Sequence, residues 1–206
     1  MSTVHTAPPR SKRREPNWEI VESFTAQGEW SEEEYLELDT NRLIEFTDGR
    51  LEVLPMPKTS HQRSGAHLFE VLRAFVSHGK AGEVLYGGVR IRLRPGMIRE
   101  PDIVFMLAEH SARVGEDYWD GADLVMEVVS PGAKDRERNL RRKRLEYAAA
   151  GIPEYWIIDP KLARITVLRL EGDHYVVHGE FKPGEQASSV LLKGFTVDVA
   201  AVLAGK

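Results

Sequence analysis

Two carboxylates in the middle of the chain are the residues best suited to chemistry. Glu127 lies within residues 123–129, a nearly continuous apolar run of the kind found in strands covered on both faces. A carboxylate inside such a strand loses its hydration at a high cost in free energy unless it is paired, protonated or metal-bound. Asp102 directly follows Pro101, a residue suited to the start of a strand. Two neighbouring strands would therefore bring the two acids together.

A pair of carboxylates is suited to Mg²⁺ or Mn²⁺, hard cations that take oxygen ligands from the protein, water and phosphate groups. The cation would offset the repulsion between the acids, polarise a phosphodiester and activate a water molecule for attack. The chain has no cysteine, so any metal must bind through oxygen or imidazole. We therefore expect Mg²⁺ or Mn²⁺ as cofactor and hydrolysis of a phosphodiester as the reaction.

Each acid also has a purely structural interpretation. Asp102 could cap a turn after Pro101. Glu127 could form an internal salt bridge, either with Arg99 or with an arginine of the predicted strand at residues 89–95. Both interpretations stay open at the level of the sequence.

The periodicity of apolar residues predicts the elements that would hold these acids. Ser31 and Glu34 have the spacing of a capping box that opens a short helix, and Asp48-Gly49 is a strong hairpin signal. The predicted helices are residues 31–39, 60–78 and 135–150. The predicted strands are residues 42–46, 50–54, 89–95, 102–106, 123–129, 154–158, 165–170 and 174–177, with a final segment at 195–203 packed on the edge.

The overall composition is that of a globular protein. The chain has 206 residues, of which 42% are hydrophobic and 29% charged, which fits one domain at residues 19–206. Residues 1–18 combine prolines with basic residues and predict a flexible basic tail. The sequence contains no apolar segment long enough for a signal peptide or a membrane span, so we expect a cytoplasmic protein without a membrane partner.

Positive charge is concentrated locally although the net charge is −4. Arg90, Arg92 and Arg94 alternate along one predicted strand, and Arg141 lies in a basic stretch at residues 131–144. These arginines could contact phosphate groups of a nucleic acid. The alternation of Arg90, Arg92 and Arg94 is equally typical of any half-exposed strand, whether or not it binds nucleic acid.

Several motifs, in their order along the chain, resemble the bacterial putative-restriction-endonuclease family within the PD-(D/E)XK nuclease superfamily. The resemblance runs from about residue 44 to residue 170. It starts with Glu45, Asp48-Gly49 and His61. It continues with Arg99-Glu100-Pro101-Asp102, the segment 123–131 around Glu127, Lys143 with Tyr147, and the segment 151–160.

The resemblance implies an α/β (α+β) fold, a restriction-endonuclease-like mixed β-sheet flanked by helices, with N-terminal and C-terminal β-hairpins. It implies a metal held by Asp102 and Glu127, DNA as substrate and a homodimer. It also implies a lysine that steadies the attacking water or the scissile phosphate. The usual position of that lysine, two residues after the glutamate, is occupied by Val129.

Lys143 is the candidate for the missing lysine, because the resembled family carries a helix lysine at this place. We expect it to act as an electrostatic stabiliser; the alternative is a solvated helix lysine. Glu45 could be a third acid of the site or lie on an exposed face. His61 could orient a phosphate, or it could cap a helix or pack in the core.

These observations predict an endonuclease that hydrolyses DNA with Mg²⁺ or Mn²⁺. The alternative is a catalytically inactive nuclease fold that serves as a nucleic-acid-binding or interaction module. The absence of lysine at Val129 motivates that alternative.

Overall fold

The computed structural model describes residues 26–40 and 42–206. The predicted basic tail at residues 1–18 lies outside this part of the chain. Within the described part, no helix is both long and apolar enough to cross a bilayer. The helical segments are α1 (Glu32–Leu36), α2 (Thr59–Gly79), a 3-10 helix (Ala108–Arg113), α3 (Ala133–Glu137), a π-helical turn (Arg138–Arg142), α4 (Lys143–Ala149) and α5 (Val199–Ala204).

The strands form two larger sheets and one small one. The strands are β1 (Ile44–Thr47), β2 (Arg50–Val53), β3 (Gly82–Tyr86), β4 (Ile91–Arg94), β5 (Met97–Arg99), β6 (Ile103–Leu107), β7 (Trp119–Asp120), β8 (Leu124–Val128), β9 (Glu154–Asp159), β10 (Arg164–Glu171), β11 (His174–Phe181), β12 (Gln186–Ser188) and β13 (Thr196–Asp198). One sheet has six strands in the order β11-β10-β9-β8-β6-β3, and another has five in the order β2-β1-β5-β4-β7. Strands β12 and β13 pair separately. Both larger sheets are mixed, because β8 runs parallel to β9 and β4 runs parallel to β7.

Strand β8 is covered on both faces, as its apolar run predicts. Met126 and Val128 pack in one core with Leu72 of α2. Val125 points the other way, into a core that includes Tyr147 of α4. Since side chains alternate along a strand, Glu127 projects to the same face as Val125 and therefore towards α4.

The predicted N-terminal hairpin is confirmed. Strands β1 and β2 pair antiparallel, with Thr47 opposite Arg50. Asp48 and Gly49 between them have φ angles of 45° and 79°, the left-handed conformations that a two-residue hairpin turn requires. The C-terminal hairpin of β10 and β11 is confirmed as well, and both of its strands are longer than predicted.

The helix predicted at residues 135–150 differs from the expectation in its middle. Arg138–Arg142 is a π-helical turn, between α3 and α4. A π turn takes more residues per turn than an α-helix, so residues four apart can share one face. Asn139, Lys143 and Tyr147 have this spacing, and all three are buried.

Several short strands were not predicted. Strands β3, β5 and β7 have five, three and two residues, too few for a reliable period. Strand β4 starts at Ile91, so Val89 precedes the strand. The main consequence is the second larger sheet, which places β1 and its Glu45 next to the six-stranded sheet.

Two leucines on different helices should differ strongly in what their truncation costs in free energy of unfolding. Leu72 is fully buried, whereas Leu145 of α4 is 72% exposed. We expect Leu72→Ala to lower the free energy of unfolding by about 2–5 kcal/mol, because truncation of a buried leucine leaves a cavity. The matched control Leu145→Ala should change it by less than about 0.5 kcal/mol. Equal losses in a urea titration of the two variants would contradict the fold described here.

Candidate active site

Asp102 and Glu127 are brought together by the pairing of β6 with β8. Ile103 lies opposite Met126 in this antiparallel pair. Asp102, one residue earlier, is therefore next to Glu127, and its Oδ2 accepts a hydrogen bond of 2.7 Å from the backbone N–H of Val128. Both acids line one pocket. The prediction that two neighbouring strands bring these acids together is confirmed.

Lys143 reaches Glu127 from the first residue of α4. Its Nζ lies 2.6 Å from Glu127 Oε1 and 2.8 Å from Glu45 Oε1. The Tyr147 hydroxyl, one turn further along α4, donates to the same Glu127 oxygen at 2.8 Å. Lys143 is 1% exposed, so the interpretation as a solvated lysine is wrong. Glu127 has the internal ion pair considered above, but its partner is Lys143 rather than Arg99 or an arginine of β4.

Glu45 is the third acid of this cluster. It is 1% exposed, which rules out the exposed-face interpretation. Arg99 and Arg142 approach its carboxylate at 3.7 Å each. Both arginines form shorter pairs elsewhere, Arg99 with Glu146 and Arg142 with Glu52, each at 2.8 Å. Lys143 is therefore the main partner of Glu45.

The electrostatics of the cluster follow from burial. Loss of hydration raises the pKa of Glu127, an effect that Lys143 opposes and Asp102 reinforces. Burial alone would lower the pKa of Lys143, but the charges of Glu127 and Glu45 outweigh it, so that this pKa is raised. Lys143 thus stays protonated, and a protonated ammonium cannot accept a proton from water.

The charge balance of the cluster favours a divalent cation. Glu45, Asp102 and Glu127 contribute three carboxylates, against which stands the ammonium of Lys143. When the neighbouring arginines are assigned to their closer partners, two negative charges are left if His61 beside Asp102 is neutral, and one is left if its imidazole is protonated. A divalent cation would balance them and relieve the repulsion between Asp102 and Glu127.

The geometry of the two acids fits such a cation. Oε1 of Glu127 and Oδ2 of Asp102 are engaged in hydrogen bonds, while the second oxygen of each acid has no such partner among the described residues. The pocket has an open volume of about 40 Å³, enough for an ion and a water molecule. The described residues contain no cluster of three His, Cys, Asp or Glu arranged as metal ligands. Mg²⁺ commonly takes one or two carboxylates and completes its shell with water and phosphate oxygens.

His61 holds Asp102 from the first turn of α2. Its Nε2 lies 3.2 Å from Asp102 Oδ2. Burial would lower the pKa of His61, but the hydrogen bond and the charge of Asp102 outweigh that effect and raise it. His61 is part of the pocket wall, so neither a helix cap nor a place in the apolar core describes it.

Unpartnered polar atoms are concentrated at this site. Among the described residues, six buried side-chain nitrogen or oxygen atoms lack a hydrogen-bond partner, and five of them belong to Glu45, His61, Arg138 and Asn139. The carboxylate of Glu45 has its ion pairs but no directional hydrogen bond. Buried polar atoms without partners are rare in folded proteins and often mark binding or catalytic sites.

The arginines predicted to contact nucleic acid lie elsewhere. Arg90 is 3.7 Å from Glu100, Arg92 is 2.8 Å from Asp120, and Arg94 is 2.7 Å from Asp48. Arg141 is largely exposed and faces Glu137 at 3.5 Å. Each of the four thus has an acidic partner within the molecule, and their contact with nucleic acid stays a prediction.

Comparison with known proteins identifies the family of the chain. The family model described as "Uma2: Putative restriction endonuclease" matches residues 32–200. The chain belongs to the Uma2 family. This assignment confirms the resemblance drawn from the sequence motifs and makes the protein a member of a family of putative nucleases.

A solved structure shows the same fold as this Uma2 chain. It is a putative nuclease belonging to DUF820 from Anabaena variabilis, with a TM-score of 0.70 and 17% identity, over 85% of this chain and 98% of that one. The type IIG restriction endonuclease BpuSI is more distant, with a TM-score of 0.40 and 14% identity over 73% of this chain and 17% of that one. No curated protein matches the chain. The first of these neighbours confirms the predicted nuclease-like fold class.

Three residues of the site escaped the sequence analysis as site residues. Tyr147 shares the face of α4 with Lys143, and this i, i+4 spacing is a signal that could have found it. Arg138 and Asn139 line the pocket from the π turn. No pattern in the sequence predicts that turn, so their inward direction could not be anticipated.

The buried lysine predicts a large effect on stability. Lys143→Met removes the cation between Glu45 and Glu127, and we expect the free energy of unfolding to fall by about 3–5 kcal/mol because two buried carboxylates lose their partner. Arg141→Met, two residues away and exposed, should cost less than about 1 kcal/mol. Adding Glu45→Gln to Lys143→Met should restore part of the loss. A Lys143→Met variant as stable in urea as the unmodified protein would contradict the bridging role.

Proposed function

We propose that the protein is a metal-dependent endonuclease that hydrolyses phosphodiester bonds of DNA with Mg²⁺ or Mn²⁺. The observation that carries the proposal is the pair of acids, Asp102 and Glu127, in a pocket beside the buried ammonium of Lys143. Each acid has one oxygen that forms no hydrogen bond with the residues that the structure describes. Membership in a family of putative restriction endonucleases supports the same reaction class.

Five residues of the cluster have a task in this reaction, and Glu45 holds Lys143 beside them. Asp102 and Glu127 would hold the cation, which supplies Lewis acidity towards the phosphate and the attacking water. His61 fixes the orientation of Asp102, and Lys143 with Tyr147 fixes that of Glu127. The positive charge of Lys143 also stabilises the negative charge that develops on the phosphate in the transition state.

The reaction is a substitution at phosphorus. The oxygen of a water molecule bonds to the phosphorus, the bond to one ester oxygen breaks, and that oxygen leaves with a proton as a hydroxyl group. Bulk solvent accepts the proton released by the attacking water and supplies the proton that the leaving oxygen takes up. Lys143 does not act as the base, because its raised pKa keeps its ammonium protonated.

A second candidate function is a nuclease fold that binds nucleic acid or another partner without cleaving it. It is favoured by Val129, an apolar residue packed in the core at the position of the usual lysine. The ammonium of Lys143 weakens this candidate, because it occupies the space beside Glu127 from a different element. Binding of DNA without cleavage in any divalent metal would support the second candidate over the first.

The proposal is tested by incubation of the protein with supercoiled plasmid and Mn²⁺. We expect nicked and linear products, and a loss of at least about a hundredfold in rate for Asp102→Asn and for Glu127→Gln, because each removes a charged ligand of the cation. EDTA should abolish cleavage. Asp173→Asn, the same chemical change at a fully exposed site, should cleave as the unmodified protein does.

Cleavage that persists in both site variants would come from a contaminant or from another site, and would overturn the proposal. The absence of cleavage by the unmodified protein with Mn²⁺ and with Mg²⁺, on supercoiled and on single-stranded DNA, would overturn it as well. Thermal melting of each variant shows that a loss of activity is not a loss of fold.

A further inference from the structure

The π-helical turn presents two polar side chains to the pocket that the metal chemistry does not use. Arg138 and Asn139 lie at the start of this turn and are 9% and 3% exposed. Both line the same pocket as Asp102 and Glu127. Nε of Arg138 and Oδ1 of Asn139 are buried, and neither has a hydrogen-bond partner in the part of the chain that the structure describes.

The two unpartnered atoms have complementary chemistry. Nε of Arg138 is a charged donor, and Oδ1 of Asn139 is an acceptor. Hydrolysis of a phosphodiester requires two reactants in the pocket. The phosphate oxygens of the ester accept hydrogen bonds, and the attacking water molecule donates them. An arginine is the usual choice for phosphate, since its guanidinium stays protonated and has several directed donors.

The surroundings hold the guanidinium of Arg138 and the backbone of Asn139 in place. The guanidinium of Arg138 is anchored by Asp135 at 3.0 Å and by Glu52 at 3.6 Å, which leaves Nε unengaged. The backbone carbonyl of Asn139 accepts a hydrogen bond of 2.9 Å from the buried hydroxyl of Tyr155. Single π turns inside α-helices often occur at functional sites. Here the turn brings Arg138 and Asn139 into the pocket.

We propose that Arg138 binds the phosphate of the DNA backbone at the cleavage site and that Asn139 positions the attacking water. This inference rests on the proposed function. Arg138 Nε donates a hydrogen bond to a phosphate oxygen whose bond to phosphorus stays intact in the reaction. Asn139 Oδ1 accepts a hydrogen bond from the water and so aims a lone pair of its oxygen at the phosphorus.

The two roles predict different kinetic signatures. Arg138→Met should weaken the binding of DNA about tenfold or more, because a hydrogen bond to a charged phosphate is lost. Asn139→Leu should leave DNA affinity within about twofold and lower the cleavage rate at saturating DNA about tenfold or more, since the water is no longer held. Asn139→Asp keeps an acceptor oxygen and should recover part of that rate.

The experiment measures binding and cleavage separately. Fluorescence anisotropy of a labelled short duplex in EDTA gives the dissociation constant without cleavage, and single-turnover cleavage in Mn²⁺ gives the rate at saturation. Arg169→Met is the matched control for charge, because Arg169 lies on β10 and pairs there with Glu171. It should bind DNA with no more than about a twofold change. Circular dichroism melting checks that every variant folds.

The outcomes separate this inference from the proposed function. If the unmodified protein binds DNA but does not cleave it, the proposed function and the role of Asn139 fail, while Arg138 is still judged by the binding assay. If cleavage occurs and Arg138→Met binds DNA as well as Arg169→Met does, the phosphate role is wrong. An Asn139→Leu variant that cleaves at the unmodified rate overturns the water-positioning role. An Asn139→Leu variant in which both the melting temperature and the cleavage rate are lowered also overturns it, because the residue is then structural.

Discussion

The ion pairs of Lys143 with Glu45 and Glu127 are the interaction on which the site depends. They join three elements that are distant in the sequence: β1 of the five-stranded sheet, β8 of the six-stranded sheet and the start of α4. A buried carboxylate without such a partner would be protonated or would destabilise the fold. The same ammonium opposes the effect of burial on the pKa of Glu127 and holds Oε1 of that carboxylate in place.

Under the proposed function, Lys143 takes the role of the usual lysine, whose position is occupied by Val129. Val129 packs in the core beside Tyr147, so a lysine side chain at that position would displace an apolar contact. From α4, Lys143 approaches the carboxylates at the face of the sheet to which Glu127 projects. In this proposal a positive charge lies beside the glutamate although it comes from a different place along the chain. This substitution is possible because electrostatic stabilisation depends on the location of a charge and not on the element that carries it.

The sequence predicted the parts of this arrangement that depend on local patterns. The apolar run around Glu127 predicted a buried strand, and Pro101 predicted the start of its neighbour at Asp102, so their proximity followed from strand pairing. Lys143 followed from the family resemblance. The bridge from Lys143 to Glu45 could not be predicted, because it spans two sheets whose relative placement depends on short strands without a clear period. The π turn was missed for a related reason, since apolar periodicity does not reveal the register of backbone hydrogen bonds.

The central claim is that Asp102 and Glu127 hold a divalent cation next to Lys143. Anomalous diffraction from crystals grown with Mn²⁺ tests it most directly, because the signal locates the ion without reference to activity. We expect an anomalous peak within coordination distance of Asp102 and Glu127, and its loss in crystals of Asp102→Asn. A wild-type crystal with saturating Mn²⁺ and no peak between these two carboxylates would contradict it.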